Sequence, residues 1–161
     1  MARHWNWNYD WEDGTLIYIF DIDGTIANLA HRLHFIQQEE KDWTSFYAVC
    51  GKDNPFEDVL YFARLLFDVG HIIVLISGRS DECREQTEKW LRTNYAPYKV
   101  LLMRKQGDHR PDNVVKGELL DELCADLERS SIAGIFEDRD QVVKMYREKG
   151  FRVFQVADGN F

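Results

Sequence analysis

The chain of 161 residues reads as an α/β fold with a mainly parallel sheet covered on both faces, and three observations predict it. Apolar runs with strand character recur at residues 16–20, 72–76, 100–103, 132–136 and 153–156. Stretches with helical spacing lie between them. Each of the first four runs is followed directly by polar residues able to do chemistry, as expected where parallel strands end at a ligand site.

The helical stretches follow from their spacing. Residues 56–69 are apolar at Phe56, Val59, Leu60, Ala63, Leu66 and Phe67, and Gly70 is a plausible stop. Residues 118–127 repeat the pattern with Leu119, Leu120, Leu123 and Leu127. Val142, Val143 and Tyr146 form a further inward stripe that Gly150 ends. A first helix is expected near residues 27–37. The stretch Trp5-Asn6-Trp7-Asn8-Tyr9-Asp10-Trp11 alternates aromatic and polar residues, which predicts an edge strand or an extended arm over residues 1–13.

Length and an apolar content of 45% fit one domain over residues 1–161. The absence of a spanning apolar run and of a signal-peptide core in Met1-Ala2-Arg3-His4-Trp5-Asn6-Trp7-Asn8 predicts a cytoplasmic protein with no membrane partner. Cys50, Cys83 and Cys124 are scattered, which excludes a zinc-site spacing and predicts reduced thiols. A net charge of −8 disfavours a grip on long stretches of nucleic-acid backbone, yet leaves room for local recognition of one terminal phosphate.

The chemistry concentrates in Phe20-Asp21-Ile22-Asp23-Gly24-Thr25. In a strand, residues two apart point to the same side, and Gly24 lets the backbone turn away, so both carboxylates can face one reacting centre. The second strand ends in Ser77-Gly78-Arg79, the third in Arg104-Lys105-Gln106-Gly107-Asp108, and the fourth in Glu137-Asp138-Arg139-Asp140. Asp21, Asp23, Glu137 and Asp138 would crowd negative charge at one rim, and all-oxygen ligation without His or Cys favours Mg²⁺ as the remedy. The expected reaction is phosphoryl transfer. Asp21 attacks phosphorus and forms an aspartyl-phosphate, Asp23 exchanges protons with the leaving oxygen and then with water, and Ser77 and Lys116 hold the phosphoryl oxygens.

With these segments in order, the chain resembles the haloacid dehalogenase superfamily of phosphohydrolases, through Asp21-Ile22-Asp23-Gly24-Thr25, Ser77, Lys116 and Glu137-Asp138. The resemblance implies a three-layer Rossmann-like fold, Mg²⁺ dependence and an aspartyl-phosphate intermediate. From about Ile17 onward the chain is similar, more narrowly, to the 3′-phosphatase domain of bifunctional phage polynucleotide kinase/phosphatases. The likeness rests on Arg104-Lys105-Gln106-Gly107-Asp108, Asp112-Asn113-Val114-Val115-Lys116, the segment from Glu137 to Val143 and the ending from Gln155 to Phe161. It implies that Arg32, Arg79, Arg104, Asp112, Lys116, Glu137 and Asp138 hold the phosphate, the metal or the nucleotide end, and Thr25, Gly78 and Arg139 in the same segments are further candidates for substrate contact. Glu137 stands where that domain has an Asp, and no Gly-x-x-x-x-Gly-Lys-[Ser/Thr] loop is present, so a repair role would need a separate kinase or ligase.

Only residues 38–55 remain for a cap over the site, against the order of 50 residues that an independent cap domain needs. No large cap is expected, and an open rim admits the end of a polymer. Trp43, Phe46 and Tyr47 in that stretch are expected to pack inward in a small flap, or else to stack on a base. The predicted substrate is a 3′-phosphorylated nucleotide or a DNA or RNA end. Two other readings stay open: a small-molecule phosphatase or 5′-nucleotidase on the same scaffold, and a non-catalytic module that binds phosphate ends.

Overall fold

In the computed structural model, which describes residues 14–159, β1 (Ile17–Phe20) lies at the centre of a five-stranded sheet. It pairs on one side with β4 (Ile72–Ser80) and on the other with β6 (Ile132–Glu137). β5 (Val100–Arg104) lies beyond β4 and β7 (Val153–Gln155) beyond β6, and all four pairings are parallel. A second, antiparallel ribbon joins β2 (Ala27–Asn28) to β3 (Asn54–Pro55). The aromatic arm expected over residues 1–13 lies outside the described residues.

Two hydrophobic cores, one on each face, make the three layers. Ile17 and Ile19 join Val74 and Ile76 under α5 (Asp112–Ala125) and α6 (Asp140–Glu148), through Val115, Leu119, Leu123, Val142 and Tyr146. Phe20, Ile73 and Leu75 face the other way, onto α3 (Glu57–Asp68) and α4 (Arg84–Thr93), through Leu60, Ala63, Trp90 and Leu91. Period-two side-chain alternation thus splits each central strand between two cores, which is why those strands are apolar throughout.

Two local expectations are corrected. Residues 27–37 do not form one helix: Ala27 and Asn28 are in β2, a 3₁₀ turn covers Ala30–Arg32, and only α1 (His34–Gln37) is α-helical. Asn28 Oδ1 accepts from the Ala30 N–H at 3.0 Å, and this local bond draws the backbone into a turn where a helix would have started. α5 begins just after Pro111, and its inward face carries Val115 and a buried Lys116 ahead of the leucine stripe that starts at residue 119. β4 continues beyond residue 76, with a bulge between Ser77 and Ser80 that re-aims the backbone at the sheet's carboxyl end. α4, rich in charge, escaped the sequence reading. Its burial rests on Thr87, Trp90 and Leu91 alone.

Between β2 and β3, residues 29–53 form a small flap that contains α1 and α2 (Trp43–Ala48). Asp42 caps α2 by accepting from the Ser45 N–H at 2.9 Å. No helix among the described residues is long and apolar enough to cross a membrane.

Candidate active site

The carboxyl ends of β1, β4, β5 and β6 converge on one cavity of about 900 Å³, roofed by the flap. β1 delivers Asp21, after which the chain folds back sharply, with the Ile26 and Ala27 N–H groups bonded to the Ile22 carbonyl. Gly24 takes φ 85°, and a Cβ there would lie 2.1 Å from Asp138 Oδ2. Only glycine lets this turn approach the β6 end so closely. Asp21 and Asp23 both line the cavity, as their spacing predicts.

The two carboxylates nevertheless belong to different groups. Asp21, Glu137 and Asp138 each place an oxygen within 4.8 Å of the others, all three buried. Lys116, reaching in from α5, donates to Asp21 Oδ1 at 2.7 Å and to Glu137 Oε2 at 2.8 Å. Thr25 donates from between Asp21 Oδ2 at 3.5 Å and Asp138 Oδ1 at 3.4 Å. Two unit charges 4.8 Å apart repel by roughly 3 kcal/mol at an effective dielectric of about 20, so one ammonium leaves the trio short of positive charge.

Proton affinities register the shortage. Burial, with Glu137 next, drives Asp21 well above the usual carboxylate range despite Lys116. Burial pushes Glu137 to about 7. Burial and then Asp21 push Asp138 to about 6. Lys116 moves the other way from what burial alone would do, held well above its ordinary value by Asp21 and Glu137.

The Asp23 carboxylate, expected among the metal ligands, stands outside that trio. Its Oδ1 accepts from Arg32 Nη2 at 2.6 Å and from Arg79 Nε and Nη2 at 3.0 and 2.6 Å. The same two guanidiniums grip Asp53, Arg32 through Nε and Nη2 at 2.8 and 2.7 Å and Arg79 through Nη2 at 2.7 Å. Burial alone would raise the Asp23 carboxyl, but Arg79 and Arg32 outweigh it and hold it below the usual range. Among the described residues no group donates a hydrogen bond to Asp23 Oδ2, and the side chain keeps 21% of its surface exposed.

Arg32 and Arg79 were expected at the substrate, and of the two Arg79 lines the cavity while Arg32 lies behind it. Both are buried and bound to acids, so they fix Asp23 in place. Arg32 also lies over the Phe46 ring, 4.2 Å from its centroid, and its Nη1 is the one buried side-chain nitrogen or oxygen without a hydrogen-bond partner among the described residues. Asp53 was missed in the sequence, where a lone acid before Asn-Pro carries no signal. Trp90 Nε1 donates to its carbonyl at 2.6 Å and fixes its backbone.

Ser77 is fully buried, and its Oγ accepts from the Arg79 N–H at 3.2 Å. Arg104 clamps the loop that leads to α5, donating to the carbonyls of Gly78, Asp108 and Arg110 at 2.9, 3.0 and 2.7 Å, and to Asp112 Oδ1 at 2.6 Å. Arg139 donates to Asp112 Oδ2 at 3.1 Å. Burial disfavours charge on Asp112, but Lys116, Arg139 and Arg104 together keep its carboxyl below the usual range. Gly78 makes room for this acid, since a Cβ at 78 would lie 2.3 Å from Asp112 Oδ1.

A parallel three-layer sheet with a buried acid–lysine cluster at its carboxyl end defines a phosphatase of the haloacid dehalogenase class. Residues 15–161 match the polynucleotide kinase PNKP phosphatase domain, and the chain belongs to that family. A chain in the structure of a Pnkp1/Rnl/Hen1 complex is 29% identical, with a TM-score of 0.76, over 95% of this chain and 50% of that one. A chain of the Pnkp1/Rnl/Hen1 RNA repair complex is 27% identical, with a TM-score of 0.73, over 95% of this chain and 46% of that one. The present chain therefore spans about half the length of those relatives. The class C acid phosphatase from Bacillus anthracis with tungstate bound shares the fold at 15% identity, with a TM-score of 0.64 over 91% of this chain and 68% of that one.

Proposed function

We propose that this phosphatase is a Mg²⁺-dependent phosphomonoesterase that removes the 3′-phosphate from nucleotides or from DNA or RNA ends through an aspartyl-phosphate at Asp21. The observation that carries the reading is the under-neutralised trio of Asp21, Glu137 and Asp138 beside Lys116. Three buried oxygen donors with proton affinities raised by burial and mutual repulsion fit a hard divalent cation. A bound Mg²⁺ would supply positive charge that screens the attacking carboxylate from an anionic phosphoryl group.

The protein's own groups then divide the work. Asp21 Oδ2 attacks phosphorus while Lys116 holds Oδ1 in place, and the ester oxygen leaves with a proton from Asp23. Arg32 and Arg79 anchor Asp23 by one oxygen and leave Oδ2 for proton exchange. They keep Asp23 ionised in the free protein; an arriving phosphoryl dianion raises its proton affinity, so Asp23 takes up a proton from solvent on substrate binding and passes it to the leaving oxygen. Water, deprotonated by Asp23, then hydrolyses the aspartyl-phosphate. The two relatives seen with Rnl and Hen1, one in an RNA repair complex, support a nucleic-acid end as substrate and a separate ligase or kinase as partner.

The test is a panel of 3′-phosphorylated oligonucleotide, nucleoside 3′- and 5′-monophosphates and sugar phosphates, each with Mg²⁺ or EDTA. Mg²⁺-dependent release of inorganic phosphate, fastest from the 3′-phosphorylated substrates, is the expected outcome. Preference for 5′-monophosphates or sugar phosphates would overturn the substrate, and undiminished turnover in EDTA would overturn the metal.

A further inference from the structure

The acid trio accounts for one end of the cavity, and a phosphoryl group fills only a small part of its 900 Å³. The flap supplies an apolar wall through Leu29, Leu33, Ile36, Trp43 and Tyr47, and the loop after β5 faces it with Lys105 and His109. The three flap aromatics are not alike. Phe46 is 4% exposed and sits under Arg32, so it packs the flap onto the domain. Trp43 remains 39% exposed, lines the cavity, and is braced by a stacked Tyr47 at 5.9 Å between centroids and 25° between planes. Lys41 places its ammonium 5.8 Å from the Trp43 centroid and lines the same cavity.

We infer that Trp43, backed by Tyr47, is the stacking platform for the nucleobase of the 3′-terminal nucleotide, and that Lys41 meets the phosphodiester on its 5′ side. The inference rests on the nucleotide 3′-phosphate reading and adds what the rest of the cavity recognises. An aromatic ring that is 39% exposed in the same cavity as Asp21 suits a base, because every base offers a π-face, and the ammonium that lies over that ring in the free protein would turn to the adjoining anion. Recognition by stacking tolerates any base.

Two matched substrates test this: a 3′-phosphorylated oligonucleotide, and the same oligonucleotide with an abasic terminal residue. For the wild-type enzyme the abasic end is expected to show a KM roughly tenfold to a hundredfold higher, the range that loss of one base–aromatic stack gives. Trp43→Ala should raise KM for the normal end by a similar factor with kcat within about threefold, while its KM for the abasic end moves by less than threefold; Trp43→Phe should restore most of the affinity. A terminal 2-aminopurine should be quenched on binding to the Asp21→Asn protein and not to Asp21→Asn with Trp43→Ala. Equal wild-type KM values for the two ends, or equal quenching with and without Trp43, would overturn the platform while leaving the phosphatase reading intact. Failure of the wild type to hydrolyse either end, with Mg²⁺-dependent activity on other phosphomonoesters, would overturn the substrate reading and the platform with it.

Discussion

Two acidic groups lie side by side at the end of β1, and they are neutralised in opposite ways. Asp21, Glu137 and Asp138 share a single ammonium, and burial raises all three above the usual carboxylate range. Asp23 and Asp53 share two guanidiniums, and Asp23 falls below that range. The first group is left wanting positive charge, which suits a site that takes up a cation and an anionic substrate in turn. The second balances its charge without a ligand, which suits a fixed proton-exchanging group. Two acids two residues apart thus acquire different chemistry from what surrounds them.

The sharpest way to break the contrast is to remove the reacting oxygen from the first group. Asp21→Asn should lower turnover of the best substrate by at least about 10³-fold. The protein should stay folded, because the change removes one of three like charges around Lys116. Phosphate release and a thermal melt read the two effects separately, and a loss of less than tenfold would remove Asp21 from the nucleophile role.

The second group should respond in stability as well as in rate. Arg79→Met leaves Asp23 to Arg32, and Asp53 to Arg32 and to His31, whose Nε2 lies 2.8 Å from Asp53 Oδ1, in a site where Arg79 is 1% exposed. Breaking a buried pair by removing one partner costs about 3–5 kcal/mol, so denaturant unfolding should show a loss of that size. A variant as stable as the wild type would mean that the clamp is not what holds Asp23 in place.

How much of this was legible beforehand follows from the same contrast. The five strands were readable because strands buried on both faces carry an apolar signal that needs no partner to interpret. Asp21, Lys116, Glu137 and Asp138 were legible as acids and a lysine at strand and helix ends, and the fold brings them together. The clamp was not legible. Asp53 owes its place to Arg32 and Arg79, 21 and 26 residues away, and a lone acid shows no periodicity. Residues 27–37 were misread as one helix because a single side-chain bond to Asn28 decides the turn, and such a bond outweighs weak helical propensity.

A pH series in the absence of metal sharpens the first half of the comparison. Glu137 moves from an ordinary 4.5 to about 7 and Asp138 from 3.8 to about 6, both raised by burial. Between those limits the folded chain holds protons that the unfolded chain has released, so stability falls as pH rises through the window. Asp23 and Asp112, whose carboxyls lie below their ordinary value, contribute only in more acid solution. In EDTA the melting temperature should therefore drop from about pH 5 to pH 7.5, and Mg²⁺ should raise it more at pH 8 than at pH 5. A Mg²⁺ effect independent of pH would place the cation elsewhere.

The smallest expected effect tests where Asp112 belongs. Like Asp23 it is an acid that lines the cavity, gripped by two arginines, Arg104 and Arg139, and held below the usual range. Gly78→Ala puts a methyl group where Asp112 Oδ1 is 2.3 Å and Oδ2 3.0 Å away, so the carboxylate must shift against both arginines. The strand itself need not move, because the clash falls on a side chain. If the gripped acids order the rim for substrate, this displacement should lower kcat/KM by roughly tenfold, about 1.4 kcal/mol, with little change in unfolding free energy. Unchanged kinetics would make Asp112 scaffold only, and would confine the chemistry of the rim to the groups around Asp21 and Asp23.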